Sequence, residues 1–172
     1  TLSEISKLLR EEDEEAYLVV SQKHIVFRIS GYYVVSRLLE GDFLDYNAAI
    51  PKISKTTVKI NTRSLTDSVE RTSLLISDRL RSPIRLVVTE NKVQLSCSTA
   101  MGKAHDEVDC EVSGEAVSMG FNNKYLLDAL KASDCDMVRL EINGALSPMR
   151  MIPMEGDSFL FLVLPVRVKN DD

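Results

Sequence analysis

Two histidines, three cysteines and two close aspartate pairs are the residues of this chain best equipped for chemistry. A zinc site needs Cys and His at short, regular spacing. Cys97, Cys110 and Cys135 form no CxxC, and neither His24 nor His105 has a cysteine or paired acid at ligand spacing. His24 reads as part of a hairpin turn and His105 as part of a polar loop. Asp42 with Asp45, or Asp134 with Asp136, could serve as acid–base pairs. Each pair sits in a turn-rich stretch, where Asp is common because it hydrogen-bonds its own backbone. No glycine-rich phosphate loop, GxGxxG or nucleophile elbow occurs. Nothing assembles a catalytic centre, a metal site or a cofactor site, and a hydrolase built on the Asp and His loops is the weakest reading. The residues point to binding or scaffolding.

Composition sets the same bounds. With 172 residues the chain suits one large domain or one and a half small ones. Its 44% hydrophobic and 27% charged content is ordinary for a globular protein. No apolar run approaches the roughly 20 residues that span a bilayer, so no membrane partner is expected, and no leader is read at the start. Three unpatterned cysteines suggest a reducing compartment. A net charge of −5 does not advertise nucleic-acid binding, which would need local segregation of Lys and Arg.

The elements that must position any site follow from periodicity. Thr1 and Glu4 have capping-box spacing before Leu2, Ile5, Leu8 and Leu9, which predicts a helix. The acidic run 11–15 opposes a helix C-terminus and reads as a solvated loop. Strands are predicted over 16–21, 24–30 and 32–39, then a connector over 40–46 and a boundary at Pro51. A strand over 57–61 and a helix over 64–76 follow, the helix with Leu65, Val69, Thr72 and Ile76 on one face. A hairpin over 84–89 and 92–98 and a strand over 106–113 come next. Strand 116–121, helix 122–132 and strands over 137–142, 147–152 and 159–164 complete the chain.

This is an internal repeat of a strand-helix-strand-strand-strand unit about 60 residues long. Leu18-Val-Val-Ser-Gln-Lys-His-Ile25 superimposes on Leu86-Val-Val-Thr-Glu-Asn-Lys-Val93. Copies two and three are complete. Copy one lacks its leading strand, so the chain reads as a fragment that starts inside a unit. Short hairpin loops give antiparallel sheets, and one helix per sheet gives an α+β fold with helices on one face. The last apolar run, Phe159-Leu-Phe-Leu-Val-Leu-Pro-Val-Arg-Val168, alternates little and is expected to be buried on both faces or nearly so. Pro165 should end regular pairing there or confine it to an edge. The apolar-basic-apolar stub beyond it is a candidate wall of a binding site.

These features carry a resemblance. The repeat, together with Glu40-Gly-Asp-Phe-Leu-Asp-Tyr46 and Ile50-Pro51, Gly120-Phe-Asn-Asn-Lys-Tyr125-Leu-Leu-Asp128, Leu146-Ser-Pro-Met-Arg150 and Leu162-Val-Leu-Pro-Val-Arg167, resembles the bacterial DNA sliding clamp. That family is the beta subunit of DNA polymerase III holoenzyme, and the motifs run in family order across essentially the whole chain. The resemblance implies the DNA clamp fold, with the second half of the middle domain over residues 1–50 and the C-terminal domain over 51–172. It further implies a non-catalytic, cytoplasmic, nucleoid-associated processivity factor in DNA replication. The full-length protein would be a homodimeric ring that encircles duplex DNA without sequence readout. This span alone is expected not to close a ring and to be a monomer or an irregular dimer. A generic α+β interaction module, without DNA tethering, is the alternative.

Two surfaces follow from the resemblance. Lys7, Arg10, Arg63, Arg71, Lys124 and Lys131 on the helices would face the DNA, where a modest positive lining suffices to slide along phosphates. The implied peptide-binding pocket captures short motifs of the DNA polymerase III alpha subunit, the clamp loader and repair proteins. It carries over to Leu44, Ala48, Ala49, Leu80, Asn122, Tyr125, Leu146 and Pro148, and to the terminal Leu162, Val163, Leu164, Pro165, Val166, Arg167 and Val168. Tyr125 would offer a ring face and Arg167 a donor. Ala48 and Ala49 replace a basic and a branched residue of better-known members, so that wall should be shallow. Four residues follow Val168 where some members end, and the resemblance leaves open whether they cover part of the pocket.

Overall fold

The computed structural model describes residues 1–9, 15–29, 31–77 and 82–168. Arg10 and Leu80 of the expected site residues, most of the acidic run and residues 169–172 lie outside them. The chain forms two compact units, Thr1–Leu44 and Asp45–Asp172.

In the first unit, helix α1 (Leu2–Leu8) packs on an antiparallel sheet of order β1-β2-β3, formed by Tyr17–Val20, His24–Ile29 and Tyr32–Arg37. Ile5 is the helix's one buried residue, and with Phe27 and Ile29 it makes a small core. The expected capping box does not form. The Thr1 hydroxyl instead shares a 2.9 Å hydrogen bond with that of Ser36, and Glu4 pairs with Lys7. Leu2 and Leu9 are exposed, so half of the predicted apolar stripe has nothing to cover it.

The second unit begins with a short helix, α2 (Tyr46–Ala49), between the predicted connector and the predicted boundary at Pro51; the Asp45 carboxylate caps it by accepting from the Asn47 amide at 3.1 Å. Then come β4 (Thr56–Asn61), α3 (Thr62–Ser73), β5 (Ile84–Val88), β6 (Lys92–Thr99) and β7 (Gly102–Gly114). The next copy supplies β8 (Val117–Phe121), α4 (Asn123–Ala132), β9 (Met137–Ile142), β10 (Met149–Pro153), β11 (Phe161–Val163) and β12 (Pro165–Val166). Helix α3 starts two residues earlier than the periodicity suggests. The Asn61 side chain accepts from the Ser64 amide at 2.9 Å, the N-cap bond that fixes the start.

The repeat is visible as equivalent bonds. In the first-unit hairpin the Ser21 amide and hydroxyl both donate to the His24 carbonyl, at 2.8 and 3.0 Å. In the second unit Thr89 does the same to Lys92, at 2.9 and 3.1 Å. His24 is thus the first residue of β2, at the end of the hairpin turn where the predicted strand 24–30 begins, whereas His105 lies within β7 opposite Ser96, a strand where a loop was expected.

Copies two and three share one nine-stranded sheet and exchange strands within it. Strand order is β11-β10-β9-β4-β7-β6-β5-β8-β12, antiparallel throughout. The leading strand of copy two, β4, pairs with β9 of copy three, and the leading strand of copy three, β8, pairs with β5 of copy two. Long β7 exceeds its expected span because it serves two partners, β6 along Gly102 to Asp109 and β4 along Cys110 to Gly114. The pair β11 and β12 repeats this device. β11 pairs with β10 and, one residue later, β12 pairs with β8, so the two ends of the strand order are consecutive in the chain.

Alternation sends Val58, Ile60, Leu86, Leu95, Phe121 and Leu140 into one core, closed by Leu65 and Val69 of α3 and Leu126 and Leu130 of α4. The final apolar run departs from expectation. Only Val163 is buried, while Leu160 and Leu164 are exposed. The run is one-faced where it passes from one end of the strand order to the other.

Candidate functional site

The terminal stretch collects several of the expected pocket residues. Leu164 lies between the two short pairings. On one side Val163 opposes Met149, whose predecessor is Pro148; on the other, Pro165 opposes Phe121, whose successor is Asn122. Leu164 is 64% exposed, and the strand register therefore sets it between Pro148 and Asn122 with its side chain open to solvent. Asn122 caps α4, accepting from the Lys124 amide at 2.9 Å, and this fixes the first helical turn that carries Tyr125. Tyr125 and Leu146 are also exposed. Leu162 and Pro165 are half-buried, Val166 and Arg167 exposed, and Val168 half-buried. Ala48 and Ala49 are exposed on α2, joined to the terminal stretch by no strand pair or hydrogen bond among the described residues. Leu44 is exposed at the end of the first unit.

What this surface offers is aliphatic area with few charges. An incoming leucine or phenylalanine side chain that covered any of Leu164, Leu146 or the Tyr125 ring would gain roughly 25 cal/mol per Å2 of apolar area removed from water. No residue here is placed to move a proton.

The expected cationic face is more compensated. Lys7 stands 2.7 Å from Glu4, Lys131 of α4 stands 2.7 Å from Glu70 of α3, and the Arg71 guanidinium stands 2.7 Å from Asp106. Burial pushes the Asp106 carboxyl up, but hydrogen bonds led by Arg71 outweigh it, and the group is held below the usual carboxylate range. Arg63, exposed in the first turn of α3, has no ion pair among the described residues. Lys124 is exposed on α4. The two helices together carry four cations and three carboxylates, a balance that supports only weak attraction to phosphate. A cleft of about 450 Å3 between the start of α3 and the end of α4 mixes both signs, with Arg63 and Lys131 beside Asp67, Asp134 and Asp136.

Among the described residues no group of three or more His, Cys, Asp or Glu is arranged to hold a metal ion. The Cys97 thiol is buried and donates to the Thr72 carbonyl at 3.0 Å. Burial raises the pKa of Cys97 and of Cys110, which leaves both as protonated, poorly nucleophilic core groups. Asp134 adopts φ 44° in the turn after α4, so the Asp134–Asp136 pair belongs to turn geometry.

Sequence reasoning missed Gly120, which is buried in β8 directly opposite Val166. An isolated glycine inside a predicted strand signals the close approach of another backbone, and that was the available clue.

Residues 47–167 match the family "DNA polymerase III beta subunit, C-terminal domain". The beta sliding clamp of Staphylococcus epidermidis is 33% identical over 168 residues, covering 96% of this chain and 45% of that protein. That of Staphylococcus aureus is 31% identical over the same coverage. Among solved structures, the DNA polymerase sliding clamp from Bacillus subtilis superimposes with a TM-score of 0.87 at 29% identity, over 98% of this chain and 45% of that one. A sliding clamp from Bartonella birtlesii bound to griselimycin gives 0.86 at 27% identity, over 97% and 45%. The chain spans about half the length of the curated relatives it matches.

Proposed function

As this chain belongs to the DNA polymerase III beta subunit, or sliding clamp, family, we propose that it is the peptide-binding part of a replication processivity factor. In a protein of the relatives' length it would help form a homodimeric ring around duplex DNA and tether polymerase III, the clamp loader and repair proteins, with no catalysis of its own. Its place would be the cytoplasm, at the nucleoid. Residues 1–50 correspond, in this reading, to half of a middle domain and 51–172 to the C-terminal domain. The exposed edge of β1 supports this, since its repeat equivalent β5 is flanked on that side by the leading strand of another copy.

One observation carries the pocket. Leu164 is held open to solvent between Pro148 and Asn122 by two strand pairings, and Tyr125 and Leu146, a few residues along the chain from Asn122 and Pro148, are exposed as well. The relative from Bartonella birtlesii was solved bound to griselimycin, so at least one clamp of the family holds a ligand. The direct test titrates a fluorescent Gln-Leu-x-Leu-Phe peptide into the chain and into Leu164→Glu. Binding weakened about tenfold or more in the variant is expected, because each tenfold corresponds to about 1.4 kcal/mol, the scale of one partly covered leucine. Equal binding by both proteins would remove the terminal stretch from the site.

A further inference from the structure

The terminal stretch rests on one residue that no sequence motif assigns a role. Gly120 is buried, and a Cβ placed on it would stand 2.7 Å from the Val166 carbonyl oxygen and 2.3 Å from Val168 Cγ2. The valine methyl could swing aside, but the carbonyl belongs to β12 and moves only if that strand leaves β8. Gly120 shows no left-handed φ, so the glycine does not serve a turn.

The internal repeat supplies a comparison within the same molecule. Asn61 and Asn122 cap equivalent helices, so Lys59 on β4 occupies the position of Gly120 on β8. Lys59 opposes Glu111 of β7 and reaches its carboxylate at 3.2 Å on the solvent side. Gly120 opposes Val166 of β12, and there Val168 lies over the strand instead of a side chain of its own. The pairing also differs in length: β7 holds β4 along Thr56 to Ile60, whereas β12 holds β8 only at Phe121 and Gly120. Copy three replaces an anchoring ladder with a flat seat.

We propose that Gly120 is the positioning residue of the peptide-binding surface. Its missing side chain lets residues 166–168 lie on β8, and this fixes Leu164 and Arg167 where a bound peptide needs them. The inference rests on the pocket reading for its functional half and on the geometry alone for its structural half.

The test uses the full chain, Gly120→Ala, and Val168→Gly as a variant that leaves β8 untouched. Limited trypsin digestion followed by mass spectrometry reads cleavage of the Arg167–Val168 bond, and the fluorescent Gln-Leu-x-Leu-Phe peptide reads the pocket. Gly120→Ala should accelerate that cleavage at least tenfold and weaken the peptide at least fivefold, with the main thermal transition retained. Val168→Gly should accelerate cleavage to a lesser degree. Accelerated cleavage with unchanged peptide affinity supports the seat and overturns the pocket reading. Unaccelerated cleavage in Gly120→Ala overturns the inference, whatever the peptide does; should that variant not fold, unaccelerated cleavage in Val168→Gly overturns it equally.

Discussion

Arg71 carries a charge that is largely engaged where it stands. Its partner Asp106 is held below the usual carboxylate range, so the folded chain binds that proton less readily than the unfolded one. The sign follows: the pair stabilises above the ordinary carboxylate value of about 3.9 and loses its effect as pH falls through the lower folded value. With the arginine side chain 60% exposed and the aspartate 25%, the contribution is small, ~0.5 kcal/mol after solvent screening. Asp106→Asn should therefore melt slightly below the parent at pH 7, and the two should converge as pH falls below the ordinary carboxylate range. A gap that stays constant across that range would falsify the assignment. The same engagement limits what Arg71 has left to give a phosphate.

Identical sequence patterns meet opposite fates in the two units. Leu18 and Leu86 hold equivalent places in the repeat, yet Leu18 is 57% exposed while Leu86 is fully buried. The difference lies in neighbours: β5 has β6 on one side and β8 on the other, whereas β1 has only β2. Leu86→Ala should cost about 3 kcal/mol in urea unfolding, within the range for a core leucine left as a cavity. Leu18→Ala should shift the transition of its own unit by about 0.5 kcal/mol or less, as surface changes do. Comparable losses at both sites would mean that β1 is covered in solution. Element types, the repeat and most strand bounds were legible in the sequence, because hydrophobic alternation and helix caps are local. The exchange of β4 and β8 between copies was not, since pairing over long separations leaves no mark in local periodicity. For the same reason Tyr125 and Leu164 were recognisable only through family motifs, and Gly120 stood in one of those motifs with nothing local to show its contact with Val166.

At the scale of the whole chain, charge is close to balanced where DNA contact is proposed. Lys131 and Arg71 face carboxylates, which leaves Arg63 as a helix cation without an ion pair among the described residues. Duplex binding by this chain should accordingly be weak, with log affinity falling against log salt at a slope shallower than about −2, since each neutralised phosphate contributes about −0.9. Fluorescence anisotropy with a labelled duplex at several salt concentrations would measure it, and a slope near −5 would show a far stronger cationic face than the ion pairs allow. The strand exchange has a temporal consequence as well. As the chain leaves the ribosome, β4 emerges about 80 residues ahead of its partner β9, judging by the Lys59–Arg139 pairing. One of its edges must stay open while those residues are made, so folding of this unit should begin late, be limited by long-range closure, and leave the nascent strand dependent on protection until the third copy arrives.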